Sequence, residues 1–180
     1  MDDKPVDPFD PAFCRDLAGE PLEEVRRRRA LADERETGYS YLRRLVQGRL
    51  DIVVDERQRR SDGAAAGTVT LVDRLPGILG GGIHAPGMGR LPQHLEPGEV
   101  DPLVERRLEE IVSAGELADP PSIDDARLRD VTQELSRLER EVSQTRRALQ
   151  EVVDTLSAEV VRRYRDGGVD PGTLPPGLAG

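Results

Sequence analysis

Two sets of five polar residues share one spacing in this chain. Glu36, Ser40, Arg43, Gln47 and Asp51 form the first set; Glu139, Ser143, Arg146, Gln150 and Asp154 form the second. Both read E-x3-S-x2-R-x3-Q-x3-D, and Arg44 and Arg147 also match. Steps of three and four are helix steps. At roughly 100° and 1.5 Å per residue, each set makes one stripe about 22 Å long. Arginine offers a planar fork for phosphate or for the O6/N7 edge of guanine. Carboxylates accept from guanine N1–H and N2–H, and Ser and Gln add neutral hydrogen bonds. The set suits a guanine nucleotide carrying phosphates. It suits a metal poorly, because the carboxylates at the two ends lie about four turns apart. Hydrolysis fits poorly as well, since no nucleophile–base pair is evident. No enzymatic activity is expected.

The elements that carry these stripes follow from periodicity. Over 21–60, Val25, Ala32, Tyr39, Val46 and Val53 recur every seven residues, Leu31, Leu45 and Ile52 lie beside them, and Leu42 reinforces the line. That pattern predicts one long amphipathic helix, with Pro21 at its first position. Over 122–166, Leu128, Val131, Leu135, Leu138, Val142, Thr145, Leu149, Val152 and Leu156 alternate spacings of three and four. This is a four-heptad coiled-coil seam, and only Thr145 breaks the apolar rule. Ser122 and Asp125 resemble a capping box at its start, and Gly167-Gly168 end it. The second stripe sits beside this seam. Residues 36–51 and 139–154 are expected to meet, in either relative direction.

Shorter segments complete the layout. Residues 1–20 read as a Pro-punctuated, partly ordered arm in which Asp10-Pro11 starts one short helical turn. Residues 61–100 read as a Gly/Pro-rich flexible linker that holds Gly80–Gly82, a possible strand at Thr68–Val72, and both histidines, His84 and His94. The glycines lack the GK[ST] ending of a phosphate loop. Residues 101–115 form a short bracing helix with Asp101 as cap, Pro102 at N1 and Gly115 as its stop. Residues 167–180 read as a disordered tail. Gly38, inside the first stripe, admits close approach of a ligand or partner backbone. The basic run Arg26–Arg29 admits an acidic partner surface.

Composition narrows the classes further. The 180 residues carry a net charge of −9 and only 3% aromatic residues, with no Trp. A bulky globular core and a broad basic DNA-binding face are both excluded. One Cys, Cys14, rules out an internal disulfide framework. Neither an 18-residue apolar run nor a signal-type N-terminus is present, so a cytoplasmic protein that neither crosses a membrane nor binds DNA directly is expected. The fold class is all-α: two long coiled-coil helices with a short bracing helix and a Gly/Pro-rich linker.

The doubled motif resembles the cyclic di-GMP signature of the RsiG anti-sigma factors, matching at all ten positions. The resemblance implies that the long helices run antiparallel. It implies that the ten motif residues bind cyclic di-GMP as a dimer of two molecules. It further implies that the loaded protein, a monomer before complex formation, sequesters a WhiG-type sigma factor and so represses sporulation genes. The competing expectation is a structural coiled-coil scaffold without nucleotide binding, its polar stripes serving solubility.

Overall fold

The computed structural model describes residues 7–63 and 100–167, and every regular element among them is helical. Helix α1 spans Leu22–Ser61, α2 Pro102–Ile111, α3 Ala114–Ala118 and α4 Asp125–Asp166. Glu23 and Glu24 occupy the first turn of α1, and Arg59 and Arg60 the last. Asp125 opens α4, and Arg163 and Arg165 close it. Both charge placements oppose the helix macrodipole favourably. Gly63 follows α1 at φ +69°, a left-handed conformation that glycine adopts without a Cβ clash.

α1 and α4 pack side by side and antiparallel. Arg29 near the start of α1 reaches Ser157 near the end of α4, at 2.9 Å. Arg60 at the end of α1 meets Asp125 at the start of α4, at 2.5 Å. The heptad positions Val25, Ala32, Tyr39, Val46 and Val53 are all buried, as is Leu42. Leu128, Val131, Leu135, Leu138, Val142, Leu149 and Leu156 face them from α4, and Val160 extends the seam by one step. Thr145 and Val152 are only partly buried.

One flank of this pair is covered. α2 lies along it, with Leu108 and Ile111 in the core. Asp101 caps α2 by accepting from Leu103 N at 2.9 Å and also accepts from Tyr39 Oη at 2.8 Å. Arg49 donates to the Leu108 and Val112 carbonyls at the far end of α2. The arm, residues 7–20, covers the same flank further along. Phe13 and Leu17 pack with Val25, Ala32, Leu156 and Val160. Arg28 donates to the Phe13 carbonyl, and Arg163 donates to those of Leu17 and Glu20.

Several boundaries differ from the sequence expectation. Residues 7–20 pack as a docked segment of turns, with a 3-10 helix at Leu17–Gly19, and Asp10-Pro11 opens a turn without a helix. The short helix stops at Ile111, and Gly115 lies inside α3 instead of ending α2. The capping box belongs to Ser113 and Glu116 of α3. Ser122 sits in a 3-10 turn, and Asp124 caps α4 by accepting from Arg127 N at 2.8 Å. The expected linker loses its ends to the fold, since Ser61 closes α1 and Val100 packs on the core. Residues 64–99, with the Thr68–Val72 segment, glycines and histidines, residues 1–6 of the arm, and the tail beyond 167 lie outside the described residues.

Candidate functional site: a polar flank shared by two helices

The sequence placed each polar stripe one position after a seam residue. Ser40, Arg43 and Gln47 follow Tyr39, Leu42 and Val46; Glu139, Ser143 and Gln150 follow Leu138, Val142 and Leu149. An antiparallel pair brings both such rows to the same side. The two stripes therefore meet along one flank, opposite the arm and α2.

There they interleave. Glu36 Oε1 accepts from Ser40 Oγ on its own helix at 2.9 Å. It also accepts from Arg146 Nη1 at 3.2 Å and Gln150 Nε2 at 3.3 Å across the seam. Glu139 repeats the pattern. Its Oε1 accepts from Ser143 Oγ at 2.9 Å and from Gln47 Nε2 at 3.2 Å, and lies 3.4 Å from Arg43 Nε. Arg43 Nε also donates to Ser143 Oγ at 3.1 Å. Each half of the flank thus takes Glu and Ser from one repeat and Arg and Gln from the other. A pseudo-twofold relation links the halves.

Eight of the ten residues are partly buried, and Asp51 and Asp154 at the stripe ends are exposed. Neither aspartate accepts a hydrogen bond from any described residue. Loss of hydration against its neighbours raises the Asp51 carboxyl above its ordinary value. Arg146 Nε is buried with no hydrogen-bond partner among the described residues. Such an N–H is a donor held ready for an acceptor. All ten sequence-predicted site residues are brought to one surface.

Other candidates fall elsewhere. Gly38 is buried, but it lies about 160° around α1 from Ser40, so it faces away from the stripe. Arg26, Arg27 and Arg28 pair with Glu23, Glu24 and Glu20, and Arg29 with Ser157, so the basic run serves the fold itself. Burial pushes the Cys14 thiol up, away from a reactive thiolate. A groove lined by Phe9, Cys14, Ala148 and Val152 lies under the arm and contains no residue of either repeat. No group of three His, Cys, Asp or Glu side chains among the described residues is arranged to hold a metal.

Comparison with known proteins decides the lineage. The RsiG-like family model matches residues 11–79 and 114–178, most of the chain, including both repeats and both long helices. This chain is an RsiG-like protein. RsiG-like membership indicates a regulator of the anti-sigma type, whose partner is of the sigma-factor kind. No curated protein matches the chain. No described helix of this RsiG-like protein is long and apolar enough to cross a membrane.

Proposed function

We propose that this protein binds cyclic di-GMP, as two molecules, along the flank formed by Glu36, Ser40, Arg43, Gln47 and Asp51 with Glu139, Ser143, Arg146, Gln150 and Asp154. So loaded, it sequesters a WhiG-type sigma factor and silences that factor's sporulation genes. The action is occlusion without catalysis, inside the cytoplasm.

One observation carries this reading: the two repeats interlock across the seam into two matching half-sites. A solvated charge stripe needs no partner helix at all. Here Arg43 and Arg146 each cross to the opposite repeat. A ligand with two equivalent halves, each bearing a guanine and a phosphate, matches a surface with two equivalent halves. Arginine and the unpartnered Arg146 Nε supply donors, and the free Asp51 and Asp154 carboxylates supply acceptors for guanine N–H groups. The nucleotide promotes sigma-factor capture by favouring the helix arrangement that the partner recognises, or by bridging to it.

Calorimetric titration with cyclic di-GMP tests the reading, with cyclic di-AMP and GTP as controls. Selective binding of two molecules per chain is expected, followed by nucleotide-dependent retention of the sigma factor. Absence of binding would overturn the nucleotide site and favour the scaffold.

A further inference from the structure

The paired stripes have a charge problem. Their ten residues carry four carboxylates, on Glu36, Asp51, Glu139 and Asp154, against two guanidiniums, on Arg43 and Arg146. The site therefore holds an excess of two negative charges, on a protein of net charge −9. Both guanidiniums are already engaged by glutamates of the opposite helix. A nucleotide with two phosphates would meet a surface of its own sign. Within a Debye length, about 10 Å at moderate salt, that repulsion is not screened.

Two further arginines stand where compensation is required. Arg44 lies four residues after Ser40 and three before Gln47, and Arg147 lies four after Ser143 and three before Gln150. These are the same steps that build the stripe, so each arginine borders it on its own helix. The pseudo-twofold relation maps one onto the other. Both are exposed, and neither makes a hydrogen bond or ion pair with any described residue. No contact among the described residues uses them. Together they cancel the excess charge of the stripe.

We propose that Arg44 and Arg147 are ligand-binding residues, supplying the uncompensated positive charge that draws in and holds the phosphates of the nucleotide. This rests on the cyclic di-GMP reading above. It assigns the site a second arginine pair, distinct from the inner pair held by Glu139 and Glu36. Exposed, unpaired guanidiniums are the ones free to meet an arriving anion, so their effect falls on association and on salt dependence.

The test is titration of cyclic di-GMP into the full chain at about 50 mM and about 300 mM salt, which span strong and weak screening. Three variants are compared with the wild type: Arg44→Gln/Arg147→Gln, Arg44→Lys/Arg147→Lys, and Arg106→Gln/Arg137→Gln. The last changes net charge equally, at exposed positions on the covered flank. Loss of both stripe-side arginines is expected to weaken binding at least about tenfold at low salt and less at high salt, by loss of local electrostatic attraction. The Lys pair is expected to keep most of the affinity, and the Arg106/Arg137 control to stay within about twofold of wild type. Equal losses in the two Gln pairs, or a Lys pair as weak as its Gln counterpart, would overturn the assignment. So would unchanged nucleotide affinity with lost sigma-factor retention, which would give these arginines to the partner instead. A wild type that fails to bind cyclic di-GMP overturns the underlying reading itself.

Discussion

Glu36 and Arg146 are separated by 110 positions in the chain, yet their side chains meet at 3.2 Å across the helix pair. Glu139 and Arg43 form the matching contact on the other side of the pseudo-twofold. Each repeat therefore completes the other, and neither is a self-contained site.

That interlock sets the pattern of coupling. Glu36→Gln combined with Arg146→Ala should show an interaction energy of about 0.5–3 kcal/mol in ligand affinity, the range for residues in one network. Glu36→Gln combined with Arg43→Ala should be nearly additive. Arg43→Ala and Arg146→Ala should each weaken cyclic di-GMP binding by at least about tenfold, through loss of a charge-assisted contact. Unfolding free energy should move by less than about 1 kcal/mol, because both ion pairs remain partly exposed. Calorimetry paired with urea denaturation separates the outcomes. Large stability losses with unchanged affinity would show that the contacts only fasten the helices.

The seam itself supplies the stability. Leu42 and Leu149 are fully buried on facing helices. Truncating either to Ala removes buried methylenes and leaves a cavity, so a loss of about 2–5 kcal/mol is expected for each. Val54→Ala, at an exposed position of α1, should stay within about 0.5 kcal/mol. Urea midpoints at constant slope would measure all three. Equal effects at buried and exposed positions would contradict the packing.

Periodicity made the long helices and their contact legible. Val25 to Val53 and Leu128 to Leu156 repeat at helix spacing, and both helices lie within a few residues of their expected ends. The ten stripe residues were legible for the same reason, since steps of three and four select one face. Gly115 misled because it occupies the second position of α3, a helix that the Ser113–Glu116 capping box starts two residues earlier. The docked arm was not legible. Its anchors, Phe13 and Leu17, form no repeating pattern, and its carbonyls are satisfied by Arg28 and Arg163, the latter more than 140 residues away. The cross-helix pairing of Glu36 with Arg146 depends on a register that spacing within one helix does not contain.

The arm's docking gives a separate prediction. Phe13 is 1% exposed and sits against Val25, Ala32, Leu156 and Val160. Phe13→Ala should cost about 3–5 kcal/mol if the arm and the helix ends unfold together. Because the arm lies on the flank opposite the stripes, cyclic di-GMP affinity should change by less than about twofold. Hydrogen exchange would localise the effect, with protection lost near Ala32 and Leu156 before the stripe region. Uniform loss along both helices would contradict a local dock.

Acid should loosen the same end of the molecule. Hydrogen bonds from Arg27, and then Arg28, hold the Glu24 carboxyl at about 2, against 4.5 when free. Arg162 and Arg163 do the same for Glu159. A carboxylate with a lowered folded value stabilises the fold above its unfolded value and loses that contribution as pH falls towards the folded one. The window is therefore pH 4.5 down to about 2. The double variant Glu24→Gln/Glu159→Gln should melt lower than wild type at pH 7 and converge with it near pH 2. Parallel melting curves across that window would contradict it.

Alkali probes the contact between α1 and α2. Tyr39 is 7% exposed, and its hydroxyl donates to Asp101, the cap of α2. Burial, reinforced by that hydrogen bond to a carboxylate, pushes the Tyr39 hydroxyl up to about 12 from 10. The folded state therefore resists losing this proton, while the unfolded chain releases it near pH 10. Stability attached to Tyr39 is complete below pH 10 and falls as pH rises to about 12, by roughly 2 kcal/mol on the scale of 1.36 kcal/mol per pH unit. Tyr39→Phe cannot ionise, so its stability should fall less steeply over that window. At neutral pH the same variant should be about 1–3 kcal/mol less stable, because the Asp101 carboxylate loses a donor in a partly buried setting. The difference in absorbance at 295 nm between wild type and Tyr39→Phe, followed through the titration, would report this phenolate, because the chain holds three tyrosines. A Tyr39 that ionises near pH 10 in the folded protein would show that α2 is not held against α1 by this hydrogen bond.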